Sequence, residues 1–147
     1  DVEVHVEFMV PKGSNSGVKL NGLYEIQLLD SHGKKKLTGD DCGGIYPRAE
    51  EKPRYHAIDE GVPPRVNACK KPGEWQSYDI FFSGPRFNGG TLEKPAIVTV
   101  LHNGVLIHDN VALKGKASPQ PGPINLQNHG NPVYFRNIWV VEQNSGK

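Results

Sequence analysis

Two pairs of chemically capable side chains stand two residues apart: Glu25 with Gln27, and Gln127 with His129. In an extended chain, residues two apart project from the same face. Tyr24, Ile26 and Leu28 alternate with the first pair and make an apolar face, which leaves Glu25 and Gln27 toward solvent or a groove. Leu126 points inward in the same way beside Gln127. If the two strands lie in one sheet, an acid, two planar amides and an imidazole converge. Such groups form the several directed hydrogen bonds that hold a sugar. His129 can exchange protons near neutral pH. Glu25 can serve as a general base if burial or a like charge raises its pKa. The plainer alternatives are a solvated polar sheet face and a turn histidine bonded to its own backbone.

Other candidates lie in looser sequence. Tyr46 and Arg48 follow Gly43-Gly44, where a tyrosine face could stack on a sugar ring and a guanidinium could clamp an oxygen with two parallel donors. Trp75 opens a strand and is either core or a groove platform. Arg136 alternates against Phe135 and is expected to face the same groove as His129, or else to make a surface ion pair. Asp30, Asp40 and Asp41 are hard oxygen ligands close in sequence, and a divalent metal such as Ca²⁺ at Asp30 is one reading, although no EF-hand loop is present and turn aspartates commonly bond their own backbone. His56, Asp59, Arg65 and Asn67 read as loop scaffolding. The two cysteines, Cys42 and Cys69, cannot build a zinc site. A disulfide between them would close a loop of about 27 residues, worth roughly 3 kcal/mol on chain-entropy grounds. The alternative is two unpaired thiols, one of them packed as a small apolar side chain.

The elements that must position these groups are strands. Gly and Pro account for 17 and 12 of the 147 residues, so turns are frequent. No window sustains helical apolar spacing, whereas alternation recurs. In the first ten residues Val2, Val4, Val6 and Phe8 share one face, against Glu3, His5 and Glu7 on the other. Further strands are expected over 17–20, 23–30, 43–46, 74–83, 96–101, 105–108, 124–127 and 133–141. Asn21-Gly22 and Asn103-Gly104 mark hairpin turns. Residues 47–73 and 84–95 read as long irregular loops. About nine strands without a helix predict an all-β, two-sheet antiparallel sandwich over residues 1–142, with a flexible tail at 143–147. Lys and Arg total 17 against 16 Asp and Glu, so no clustered positive excess calls for a nucleic-acid partner. No apolar stretch is long enough for membrane insertion as a helix. No signal peptide is visible, and a chain opening directly into a strand reads as mature or trimmed.

Several blocks, in order, carry a resemblance. Asn15-Ser16-Gly17-Val18 followed by Tyr24 to Asp30, then Cys42 to Arg48, Pro72 to Ile80, Asn103-Gly104-Val105, Gly122 to Gly130 and Val133 to Ile138 resemble the 3-keto-disaccharide hydrolase domain family. The resemblance implies a jelly roll of the concanavalin A-like lectin and glucanase type, a carbohydrate ligand, and export to the periplasm or beyond the bacterial cell. It implies chemistry on 3-keto-glycosides: abstraction of the C2 proton, an enolate, and loss of the C1 substituent. Glu25 or His129 would be the base, and Arg48, His129 or a metal would be the electrophile. Gln27, Tyr46, Trp75, Gln127 and Arg136 would help to bind the sugar. The carboxylate pair of ordinary glycosidases is not needed, and no ExDxxE run is present. A carbohydrate-binding module without catalysis and a structural subunit of an extracytoplasmic assembly remain as alternatives. Members of this family usually carry an N-terminal segment ahead of the position of Asp1, so a partner chain or domain is expected to pair residues 1–10, since an open strand edge is an aggregation hazard.

Overall fold

The computed structural model describes residues 1–113 and 117–143. Twelve strands run in chain order: β1 Val2–Met9, β2 Asn15–Leu20, β3 Tyr24–Leu29, β4 Ala49–Glu50, β5 His56–Ala57, β6 Trp75–Ser83, β7 Arg86–Asn88, β8 Thr91–Lys94, β9 Ile97–His102, β10 Val105–Ala112, β11 Asn125–Leu126 and β12 Tyr134–Glu142. No helix occurs among the described residues. All pairings are antiparallel. One layer has the order β10-β9-β6-β1-β12 and the other β11-β2-β3. The smaller layer is widened by residues 43–46, whose backbone pairs with β3 through Gly43, Gly44 and Tyr46, and by Val62, which pairs with Ile45.

Alternation decides which face each strand buries. Val4, Val6 and Phe8 of β1 join Tyr78, Ile80 and Phe82 of β6 and Val98 and Val100 of β9 on the inner side of the large sheet. Val18, Leu20, Tyr24, Ile26 and Leu28 answer them from the small sheet. The layers also meet through polar contact: the buried Tyr78 hydroxyl donates to the Gln27 carbonyl at 2.5 Å. A hydroxyl sealed in a core must find an acceptor, and this one pins the middle of β3 to β6.

Several expectations need correction. The N-terminal strand is not an edge, because β1 is paired with β6 on one side and β12 on the other. The large sheet ends instead at β10 and β12, so no partner chain is needed to pair residues 1–10. The stretches read as loops hold two further hairpins. Gly89 and Gly90, both with positive φ, turn β7 into β8, a Gly-Gly signal that short polar flanks concealed. The 47–73 excursion is folded back on itself by β4 and β5. Cys42 and Cys69 are free thiols, both buried. They lie against each other, and the thiol of Cys42 sits 3.4 Å from the Tyr78 hydroxyl. The hydrogen bond from Cys42 favours the thiolate at Cys69, while that same contact and burial push Cys42 up. Of the expected tail, Gln143 is tied to Asp1 O through its amide, and 144–147 lie outside the described residues.

His102 gives the core a pH dependence. Its ring is fully buried, 4.8 Å from Tyr78 and 5.9 Å from Phe8 between centroids. Nε2 donates to Gln76 Oε1 at 2.8 Å, leaving Nδ1 bare. Burial, aided by the charge of Lys70, pushes its pKa from 6.5 down to about 4. Between those values the unfolded chain takes up a proton that the native protein refuses, so stability falls as the medium is acidified. This group alone should remove roughly 2–3 kcal/mol between pH 7 and pH 4. Urea unfolding across that range should give a flatter pH dependence for His102→Gln than for the wild type. Parallel curves would show that another group carries the effect.

Candidate functional site

The outer face of the small sheet carries the convergent polar groups. The register sets Asn125 opposite Lys19, Lys19 opposite Glu25, and Gly17 opposite Gln27. The backbone bonds Gln127 N to Gly17 O and Tyr46 N to Glu25 O extend both rows. One row across the sheet therefore reads Gln127, Gly17, Gln27, and the next reads Asn125, Lys19, Glu25, Tyr46. A cleft of about 650 Å³ lies over this face. Glu25, Lys19, Tyr46, Arg48, Gln127 and His129 all line it.

On this face three side chains hold a buried oxygen without a partner among the described residues: Glu25 Oε2 and Gln127 Oε1 in the cleft, and Gln27 Oε1 beside it. Sealed acceptors are normally satisfied, so three on one face form an acceptor surface prepared for a ligand's donors. Glu25 and Gln27 are only 8% and 2% exposed. Burial pushes the Glu25 carboxyl up to about 7, and the nearby charge of Lys19 moderates the rise. A carboxyl with that pKa can gain and lose a proton at neutral pH.

The Asn15-Ser16-Gly17 run explains how the group is held. Asn15 Oδ1 accepts from Gln27 Nε2 at 3.2 Å, which leaves Gln27 Oε1 without a protein partner. The Asn15 amide donates to Asn131 Oδ1 at 2.9 Å and anchors the turn after His129. The Ser16 hydroxyl donates to Gln127 O at 2.6 Å, fixing that strand against β2. Gly17 leaves room: a Cβ there would stand 2.6 Å from Glu25 Cδ and overlap the carboxylate oxygen. The acid therefore lies across β2 instead of rising from the sheet. In sequence the run reads as the end of a turn cluster before a strand at 17–20, whereas β2 already begins at Asn15; a polar pair ending in Gly is the available signal.

The wall of the cleft comes from residues 46–61. Tyr46 is hydrogen-bonded to Tyr55, which with burial raises its pKa to about 12. Arg48 is already engaged: its Nε meets Asp59 Oδ2 at 2.6 Å, and its backbone amide donates to Oδ1. Although burial acts in the other direction, these bonds and the Gly61 amide keep Asp59 below its ordinary value. Asp59, read as scaffolding, is thus the anchor of a cleft residue. His129 stands exposed at the rim.

Two expected site residues are elsewhere. Trp75 and Arg136 lie on the outer face of the large sheet, with the Arg136 guanidinium 4.0 Å over the indole. Arg136 Nε donates to Glu7 Oε1 at 2.8 Å, and His5 is held between Asp79 at 2.7 Å and Glu7 at 3.3 Å while stacking on Trp139. This network ties β12 to β1 and β6, and its members satisfy one another. Arg136 alternates against Phe135 as expected, but the chain changes sheets between β11 and β12, which carries it to the other layer; the bulge at Asn137, with φ of 50°, then brings Trp139 onto the same face. The aspartates do not converge either. Among the described residues Asp30 accepts a single bond, from Gly13 N at 3.3 Å. Asp41 is committed to Lys34, Thr38 and Ser31, and Asp40 takes the Thr38 hydroxyl. Among the described residues no three acidic, imidazole or thiol side chains gather to hold a metal, so the donor set does not fit a calcium site at Asp30.

Comparison with known proteins agrees with this architecture. A protein of Parabacteroides distasonis ATCC 8503, provisionally named a glycosyl hydrolase, has a solved structure that superposes with a TM-score of 0.79 at 32% identity. The match covers 97% of this chain but 64% of that one, so the present chain spans less than two thirds of the relative's length. Two more proteins of that organism, with the same provisional name, superpose at TM-scores of 0.63 and 0.54. Their identities are 24% and 16%, with 97% and 95% of this chain covered and 78% and 70% of theirs, and they speak to the fold alone. No protein of curated function matches the sequence. The profile of the 3-keto-alpha-glucoside-1,2-lyase-like domain matches residues 1–141, which span both layers and every residue of the cleft, and the chain belongs to that family.

Proposed function

We propose that this protein cleaves 3-keto-glycosides by removing the proton at C2, with Glu25 as the general base. The observation that carries the reading is a buried, unpartnered carboxyl with a pKa near 7 in the cleft, beside the unpartnered amide oxygen of Gln127 and with that of Gln27 on the same sheet face. A ketone at C3 acidifies the C2 proton. Glu25 takes that proton, and the electron pair forms the C2–C3 double bond of an enolate. When the C3 carbonyl re-forms, the double bond moves to C1–C2 and the C1–O bond breaks. The departing oxygen takes a proton at the rim, where His129 stands, and water can then add at C1. Gln27 and Gln127 accept hydrogen bonds from sugar hydroxyls, and Tyr46 supplies a ring face. The two layers form part of a concanavalin-like jelly roll in this reading.

The substrate test uses a 4-nitrophenyl 3-keto-α-glucoside. Phenol release is expected, with kcat/KM rising through pH 7 as Glu25 ionises. Glu25→Gln should lower it by about 10²–10⁴-fold, the usual range for a general base. Sugar binding without release, unaltered in Glu25→Gln, would instead identify a carbohydrate-binding module. Gly17→Ala should fold normally, because the displaced atoms are the free end of a side chain, yet lose about 10²-fold in kcat by moving the base. Unchanged kcat in that variant would sink the positional argument.

Stability gives a separate check. Glu25 in the folded state holds its proton between its ordinary value of 4.5 and about 7, where the unfolded chain has released it. Its contribution is therefore present below pH 4.5 and is lost as pH rises through 7. Glu25→Gln should match the wild type near pH 4.5 and exceed it at pH 8 by roughly 1–2 kcal/mol, allowing for partial solvation of the carboxyl. Equal denaturation midpoints at pH 8 would count against a desolvated acid.

A further inference from the structure

We infer that Lys19 is the cation that receives the negative charge when a carbonyl-bearing sugar is enolised in this cleft, an inference that rests on the proposed function and names the partner of its base. Proton abstraction at C2 moves one electron pair into the C2–C3 bond and another onto the C3 oxygen. That oxygen needs donors at the moment charge develops. The unpartnered oxygens of Glu25 and Gln127 repel a developing oxyanion, so a cation beside them is the group suited to its charge.

Lys19 fits that role by position and by charge. It sits directly opposite Glu25 in the β2–β3 register, on the same outward face, where opposed side chains start about 5 Å apart. Its side chain is half-buried and lines the cleft. Yet the two charged groups form no ion pair among the described residues, because Glu25 lies over Gly17 instead of reaching toward Lys19. The base and the cation are therefore held side by side and apart. A direct ion pair would neutralise both; the separation leaves room for the two adjacent sugar carbons whose charges they must handle.

The other charged or titratable groups around this cleft are otherwise disposed. Arg48 commits its Nε and its backbone amide to Asp59, which fixes the guanidinium on the cleft wall, away from the β2–β3 pair that holds Glu25. Tyr46 is hydrogen-bonded to Tyr55, which with burial pushes the Tyr46 hydroxyl up to about 12. Glu50 and Glu51 belong to the exposed arm, and His129 to the rim. Lys19 does not give up its proton: the ammonium hydrogen-bonds the enolate oxygen and releases it when the carbonyl re-forms and the C1–O bond breaks.

The experiment compares wild type, Lys19→Met, Lys19→Arg and Glu25→Gln, each checked for folding by thermal denaturation. Phenol release from the 4-nitrophenyl 3-keto-α-glucoside and deuterium uptake at C2 in D₂O are both measured. Lys19→Met should lose about 10²–10³-fold in kcat and in C2 exchange, with KM little changed. Lys19→Arg should recover to within about tenfold of the wild type. The acid limb of the pH profile should move upward in Lys19→Met, because Lys19 helps Glu25 to ionise. Wild-type exchange and an unmoved acid limb in Lys19→Met would overturn the role of Lys19 and leave the base intact. Wild-type protein without C2 exchange, or Glu25→Gln with full exchange, would overturn the underlying reaction and this inference with it.

Discussion

A carboxyl taken out of water with no partner is the constraint around which the small sheet is arranged. Desolvating an acid disfavours its charged form, and Glu25 pays that penalty in the native state. The structure tolerates it because the backbone beneath and beside the acid is satisfied. Tyr78 holds the Gln27 carbonyl from beneath, Gly43 and Gly44 pair with the Gln27 backbone at the side, and Asn15 holds its amide. The unpaired oxygens are thus confined to one face of the small sheet. Stability is spent in one place and recovered in the apolar seam behind it.

That seam depends on strict two-residue alternation in β3. Tyr24, Ile26 and Leu28 are sealed in the core while Glu25 and Gln27 take the opposite face, where Glu25 lines the cleft. A slip of one residue would exchange the two sets and abolish both core and site together. The β2–β3 turn and the buried Tyr78 bond hold the register from two directions. The Asn15-Ser16-Gly17 run then divides its labour: one side chain orients an amide, one ties down a neighbouring strand, and one provides space through having no side chain at all.

The two outer faces of the sandwich are built on different logic. On the large sheet His5, Glu7, Asp79, Trp75, Arg136 and Trp139 spend their polar atoms and ring faces on one another. Charge pairs of this kind, partly exposed, mainly align strands. On the small sheet the corresponding groups are left unspent. The difference between a stapled face and a receptive one lies in satisfaction, since both contain acids, rings and cations.

Much of this was legible before folding. Alternation identified the all-β class, the core face of β3 and the outward pairing of Glu25 with Gln27, because period-two patterning is a local property of an extended chain. The order of sequence blocks pointed to the family, and the Asn103-Gly104 hairpin was visible in its turn dipeptide, whose residues adopt positive φ. Local sequence could not say which strands share a layer. The sheet change between β11 and β12 and the place of β6 in the large sheet removed Arg136 and Trp75 from the cleft, while the pairing of β1 on both sides closed an edge that composition left open. Nor could it reveal that Lys19 lies opposite Glu25, that Asp59 engages Arg48, or that Gly17 makes space for the acid. Those facts arise from contacts between residues distant in sequence or across a strand pair, where burial and register decide which charges are paired and which are left waiting.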